Sequence, residues 1–173
     1  LMDQGAVADL NITCLALEYS DEERKAATKF TYQEEMDWLV KHHKRNIIIR
    51  NLSMTQQGNT LVLFQFVEKH GSVLYDMIRE KAADHREVFF VHGGTDTEQR
   101  EEIRQITETK NDAIIIASYG TFSTGINIRN LHNVIFASPS KSRIRNLQSI
   151  GRGLRKGDTK TSCKDRKSTR LNS

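Results

Sequence analysis

Only two cysteines, Cys14 and Cys163, occur in the 173 residues. They lie far apart, with no second Cys or His at ligand spacing, so neither a disulfide framework nor a zinc site is indicated. No apolar run approaches the ~18 residues that a membrane-spanning helix needs. The first residues, Leu1-Met2-Asp3-Gln4-Gly5, have neither the basic nor the apolar region of a secretory signal. These absences fit a reduced, cytoplasmic setting with no membrane partner, and they leave the sequons at Asn11 and Asn51 uninformative. A Gly-x-x-x-x-Gly-Lys-[Ser/Thr] loop is also missing, so the chain carries no such phosphate cradle of its own.

What is present is an ordinary globular composition, 37% hydrophobic and 28% charged, long enough for one compact domain with a real core. The net charge of +4 is unevenly spread. The last stretch, 156–173, holds six basic and two acidic residues, while 1–155 balance at twenty of each. Residues 1–109 are acidic, with thirteen basic side chains against nineteen acids, yet Ala113 to Lys156 carries seven basic residues and no acid. A phosphate-facing surface requires such a stretch, because a carboxylate there would repel the ligand. A fluctuation along the chain would produce it equally well.

Short apolar runs alternate with amphipathic stretches. Strands are expected over Leu10–Leu17, Leu61–Phe66, Val88–Val91, Ala113–Ala117 and Val134–Ala137. Helices are expected over Thr31–Arg50, Val67–Lys81, Gln99–Thr107 (with Thr95 or Thr97 as its cap) and Ser142–Leu154. Strands that are apolar throughout, each followed by a helix, predict an α/β fold with a parallel sheet covered on both faces. The segment 156–173 has one large apolar residue, Leu171, among charges, Ser and Thr. It cannot offset its ordering entropy, so it is expected to be disordered.

Gln148, Gly151, Arg152 and Arg155 recur at i, i+3, i+4 and i+7, which places them on one face of a helix. Gly151 and Gly153 inside that helix cost roughly 1 kcal/mol each relative to Ala. Two readings fit: a face that approaches a phosphate closely, with two arginines beside the gap, or a basic helix end meeting the macrodipole.

The pattern Gln-x-x-Gly-Arg-x-x-Arg resembles motif VI of superfamily-two helicases. Upstream, Ile114 to Asn127, with its Thr124-Gly125-Ile126-Asn127 turn, resembles motif V. Leu61-Val62-Leu63-Phe64 resembles motif IV, and Val91-His92-Gly93-Gly94 with Arg100 resembles motif IVa. One short match is weak; four in order over residues 60–155 resemble the second RecA-like domain of that superfamily. Thr31-Tyr32-Gln33-Glu34-Glu35, Ala117-Ser118-Tyr119-Gly120 and Phe122-Ser123-Thr124-Gly125-Ile126 resemble the UvsW family of phage DNA helicases in particular.

The resemblance implies a RecA-like parallel sheet sandwiched by helices. It divides the chain into an interdomain connection and first strand (1–30), the second motor lobe (31–157), and a disordered or non-native tail (158–173). It implies a C-terminal motor lobe of an ATP-dependent DNA helicase or translocase acting on branched DNA in recombination, repair or replication. Arg155 and Arg152 would be arginine fingers on the ATP γ-phosphate, and Gln148 would orient them or the attacking water. Gly125, Asn127 and Gly151 would lie at the nucleotide; Asn127 stands where many relatives have Asp, which puts any metal-shell role of that position in doubt. Ser118, Thr124, Gly93 and Arg100 would contact a strand backbone, and Lys141 either does so or is solvated charge. ATP with Mg²⁺ would be held mainly by an N-terminal RecA-like lobe, the partner beside single-stranded or branched DNA. The chain would hold no metal of its own and would be inactive as an ATPase alone.

Other candidates are weaker. Asp21-Glu22-Glu23-Arg24 superficially matches the acidic pair of helicase motif II, but Tyr19-Ser20 separate it from any buried strand, so a solvated helix start is expected. His42-His43 and Glu34-Glu35 point to different helix faces and suit neither a metal nor an acid–base dyad. His92 is expected to be a turn residue, and Phe64, Phe66, Phe89, Phe90 and Phe136 to be core. Rival functions are a non-catalytic nucleic-acid-binding module on the same basic face, a superfamily-two translocase that does not separate strands, and an unrelated nucleotide-binding α/β enzyme such as a sugar-nucleotide transferase. The last leaves the Gln148–Arg155 face unexplained.

Overall fold

Apolar runs with no polar face can be satisfied only by covering both sides of a sheet. In a computed structural model, which describes residues 10–18, 20–121, 128–138 and 161–170, the described strands form one such sheet. They are β1 (Leu10–Glu18), β2 (Thr60–Phe64), β3 (Val88–Val91), β4 (Ile114–Ser118), β5 (Asn133–Phe136) and β6 (Thr161–Arg170). Their spatial order is β3-β4-β2-β5-β1-β6, with every pairing parallel. The described helices are α1 (Asp21–Ala27), α2 (Tyr32–Lys41), α3 (His43–Thr55), α4 (Ser72–Ala82) and α5 (Thr97–Thr109).

The period of two along each strand divides the core. Val62 and Phe64 of β2 with Ile114 and Ile116 of β4 face Ile49 and Leu52 of α3 and Leu74 and Ile78 of α4. Leu61, Leu63, Ile115 and Ala117 face the other way, onto Ile103 of α5, Ile128 and Leu131. Each of these buried aliphatic side chains contributes about 1.5–3 kcal/mol of transfer free energy, so β2 and β4 anchor both layers.

Structure and sequence expectation differ at several places, each for a physical reason. Thr31–Arg50 is two helices, because His42 leaves the helix with φ −70° and ψ 109° and caps α3, its Nδ1 accepting from Arg45 N at 3.3 Å. The cap of α5 is Asp96, accepting from Gln99 N at 2.7 Å, since the Thr95 hydroxyl is occupied by His92 N at 3.1 Å. The stretch after β2 opens with a π-helical turn, Val67–Gly71, before α4. There Gly71 N donates to Phe66 O at 2.8 Å, and a Cβ on Gly71 would lie 2.5 Å from Phe64 Cε1. Phe66 lies just beyond β2, half-buried with the Lys69 ammonium 5.4 Å from its ring centroid, rather than in the core. Finally, Thr161–Arg170 pairs with β1 where no ordered element is expected. An edge strand is held by main-chain hydrogen bonds, and charged side chains suit an edge, so apolar content does not reveal it.

Two polar hubs fix the N-terminal edge of the sheet. Asn59 Nδ2 donates to Thr107 O, Lys110 O and Asn130 O at 3.0, 2.6 and 2.7 Å, and its Oδ1 accepts from Ala113 N at 2.9 Å. The Arg86 guanidinium donates to the carbonyls of Ser53, Met54, Gln56, Gly58 and Asp112. It thereby neutralises the C-terminal end of α3, where carbonyls lack helical partners. Among the described residues no helix is long and apolar enough to cross a membrane.

Candidate functional site

In a parallel sheet all strands end on one edge, and ligands of open α/β sheets sit there, where successive connections leave to opposite faces. Here α4, which follows β2, packs on one face, while Ile128 and Leu131, later in the sequence than β4, pack on the other. The C-terminal edge between them carries Ser118 (β4), Gln65 (just after β2), Ser138 (just after β5) and the His92–Thr95 loop after β3.

Ser118 ends β4 and begins a helical turn at Tyr119–Thr121. Its Oγ accepts from Thr121 N at 3.3 Å and shares a proton with Thr121 Oγ1 at 2.6 Å, the geometry of a serine N-cap. The hydroxyl therefore shapes a helix N-terminus at the sheet edge, an environment suited to a phosphate.

The loop after β3 is closed from within. His92 Nδ1 accepts from Gly94 N at 3.0 Å, the backbone-facing role expected for a turn histidine. Arg100 on α5 folds back over the loop: Nε donates to Thr95 O at 2.9 Å, and Nη2 to His92 O at 3.1 Å and Gly93 O at 3.2 Å. Around Gly93 the space is open, with nothing within 4 Å of a Cβ built there.

Behind this edge lies a buried polar chain. His70, Ser138 and Asn46 are 0%, 2% and 3% exposed. His70 Nε2 meets Asn46 Oδ1 at 3.0 Å, and Asn46 Nδ2 donates to Val40 O at 3.1 Å. The acceptor Oδ1 requires the proton on His70 Nε2, so His70 Nδ1 accepts from Ser138 Oγ at 2.9 Å. Ser138 Oγ in turn accepts from Gln65 N at 2.9 Å. Burial, with the Arg45 charge nearby, pushes the His70 pKa down to about 3, so the ring is neutral and the direction of the chain is fixed. Tyr119 donates its hydroxyl to Ser138 O at 2.9 Å, stacks on Phe136, and has its pKa raised by burial.

Of the residues singled out from sequence, Ser118, Gly93 and Arg100 lie on this edge. Gln148, Gly151, Arg152, Arg155, Gly125, Asn127, Thr124 and Lys141 lie outside the described residues, as do the helix expected over Ser142–Leu154 and all basic residues of Ala113–Lys156 except Arg129. His70, Ser138, Asn46 and Tyr119 were not legible as site residues. The available signal was weak: polar residues at the ends of apolar strands and within an otherwise apolar helix face. The acidic cluster Asp21-Glu22-Glu23 is the first turn of α1, where Glu23 completes a capping box with Ser20. Its other oxygen lies 2.9 Å from His42 Nε2. Glu34 completes the same motif with Thr31 at the start of α2. Phe64, Phe89, Phe90 and Phe136 pack in the two core layers.

Comparisons with known proteins bear on the family and the fold. Residues 43–157 match the helicase conserved C-terminal domain. Over 164 residues the chain is 40% identical to the ATP-dependent DNA helicase uvsW of Enterobacteria phage T4, covering 93% of this chain and 32% of that protein. The crystal structure of T4 UvsW superposes with a TM-score of 0.74 at 33% identity, covering 91% of this chain and 32% of that one. Domain 2 of the DEAD-box helicase Mss116p, bound to an RNA duplex, shares the fold with a TM-score of 0.52 at 16% identity, over 91% of this chain and 54% of its own. The chain thus spans about a third of the curated relative that it matches. It has the RecA-like α/β fold of a second helicase lobe and belongs to the helicase conserved C-terminal domain family.

Proposed function

We propose that this chain is the C-terminal motor lobe of an ATP-dependent DNA helicase, working on branched DNA in recombination, repair or replication. The observation that carries the reading is that the family match over 43–157 takes in the whole Gln148–Arg155 segment, which follows β5 within the family's order of elements. Arg155 and Arg152 stabilise the charge that develops on the γ-phosphate as ATP is split, because a planar, permanently charged guanidinium can reach across a cleft to an oxyanion. Gln148 orients them or the attacking water. Gly125, Asn127 and Gly151 lie against the nucleotide, the glycines allowing close backbone approach.

On the strand side, Ser118 and Thr124 bind a backbone phosphate with the amides of the turn that Ser118 caps. The open space at Gly93 admits a second phosphate. Arg100 both clasps that loop and offers its two Nη1 N–H groups, which the loop carbonyls do not use. Lys141 adds charge to the same surface. ATP is the substrate, bound mainly by the other lobe. Mg²⁺ would accompany the ATP, held mainly by the other lobe.

The test is reconstitution. The isolated chain is expected to show negligible ATPase, and DNA-dependent hydrolysis is expected on joining it to a UvsW-type first lobe. Hydrolysis by the isolated chain would overturn the reading. Salt-sensitive DNA binding with no gain of ATPase on joining would leave a non-catalytic binding module.

A further inference from the structure

Ten positions before Gln148, the chain leaves the last described core strand at Ser138. Three separate parts of the lobe meet on this one residue. Gln65, at the end of β2, donates its amide to the Ser138 hydroxyl at 2.9 Å. That hydroxyl donates to His70, which the π-helical turn carries into the interior. Tyr119, the first residue of the turn capped by Ser118, donates to the Ser138 carbonyl at 2.9 Å. A π turn in place of regular helix is uncommon and clusters at functional positions. Here its product is a fully buried imidazole with both nitrogens bonded, one to Ser138 and one to Asn46. Nothing in the packing of β5 itself requires this: Ala137 N already closes the sheet onto Leu63 O at 2.8 Å. The extra bonds act on the next residue, fixing both the side chain and the carbonyl of Ser138 and so the direction in which the backbone departs.

We propose that Ser138 is a positioning residue that sets the exit of the chain from β5 toward the Gln148–Arg155 segment, clamped on its hydroxyl by His70 and on its carbonyl by Tyr119. The inference rests on the motor-lobe reading above. Because Tyr119 belongs to the turn that Ser118 caps, the same clamp ties the end of β4 to Ser138, where the chain leaves β5. A strand phosphate held by that turn fixes Tyr119, and Tyr119 fixes Ser138. DNA occupancy is thereby coupled to the point at which the chain leaves β5.

Tyr119→Phe removes one hydroxyl from this clamp and Ser138→Ala removes the other half; both keep the buried volume nearly unchanged. In the two-lobed enzyme, each is expected to lower kcat at saturating DNA by about tenfold to a hundredfold, the scale of a misplaced catalytic group. KM for ATP and Kd for DNA should stay within about twofold. Retention of kcat by both variants would overturn the inference. So would a parallel decline of kcat, KM, Kd and melting temperature, which marks damage to the fold alone. Arg155→Ala, assayed alongside, separates the two levels of argument. If it stays active the motor-lobe reading fails; if it is inactive while Tyr119→Phe and Ser138→Ala behave as wild type, only the clamp fails.

Discussion

Arg100 Nη2 lies 3.1 Å from the carbonyl oxygen of His92, so the guanidinium on α5 is tied to the loop that ends β3. With further bonds to Gly93 O and Thr95 O, this one side chain holds the loop in the shape that leaves Gly93 open. Arg100→Ala is expected to loosen the loop and remove one phosphate partner. DNA affinity should fall several-fold, and the dependence of log K on log salt should flatten by about one contact, roughly 0.7–0.9 in slope. Fluorescence anisotropy of a labelled strand over a salt series measures both. An unchanged slope with weaker binding would make Arg100 a loop clasp only.

Arg86 has a purely structural role in this account. Five carbonyls, from Ser53 through Gly58 and at Asp112, receive its donors. Burial lowers its pKa somewhat, yet an arginine stays charged in any such setting. Arg86→Ala leaves the end of α3 uncompensated and is expected to cost about 2–3 kcal/mol. Urea unfolding monitored by far-UV circular dichroism checks it; a loss below about 0.5 kcal/mol would contradict the assignment.

Asn59 gives a sharper substitution. Its Nδ2 faces three carbonyls within 2.6–3.0 Å. Asn59→Asp keeps the shape but turns a donor into a carboxylate among acceptors. It is expected to cost more than about 3 kcal/mol, beyond Asn59→Ala, because it adds repulsion to lost bonds. Equal destabilisation by the two variants would show that the amide donor is not what matters there.

His70 predicts an acid sensitivity. Its folded pKa of about 3 lies below the ordinary value near 6.5. Between those two pH values the unfolded chain binds a proton that the folded chain excludes. Stability from this group is therefore complete above about pH 6.5. It falls as pH drops toward 3, by up to about 1.4 kcal/mol per pH unit. His132, also held low by burial, adds to the same loss. Glu23, held low first by its hydrogen bond to His42, adds a loss only in the carboxylate range. Unfolding at about pH 7.5, 6 and 5 should show a steeper decline for wild type than for His70→Gln. Identical slopes would mean that the folded chain takes up the His70 proton as readily as the unfolded chain.

The strands were the most legible part of the sequence. Val88–Val91 is found as expected, and β2, β4 and β5 lie within one or two residues of expectation, because a run apolar on both faces has one structural solution. Thr31–Arg50 could not be divided by periodicity, since helical spacing continues through His42. The break comes from a cap and a contact with Glu23, 19 positions away in sequence. The π turn depends on Gly71 meeting the ring of Phe64, and β6 on backbone pairing to β1. None of these tertiary facts leaves a local pattern. Gln148, Gly151, Arg152 and Arg155 stand out by their spacing, and they lie outside the described residues. Ser118, Gly93 and Arg100 were placed by order along the chain. Ser138 and His70 leave no such signal, because a buried hydroxyl and imidazole gain meaning only from what surrounds them.

In the proposed motor lobe the arginines after β5 act on ATP held by another lobe. The most direct measurement is DNA-stimulated ATP turnover by the two-lobed enzyme with Arg155→Ala, beside DNA binding by the same variant. The expected result is a fall in kcat of about a thousandfold or more, the scale of a lost arginine finger, with DNA affinity unchanged. Turnover near that of the wild type would contradict it.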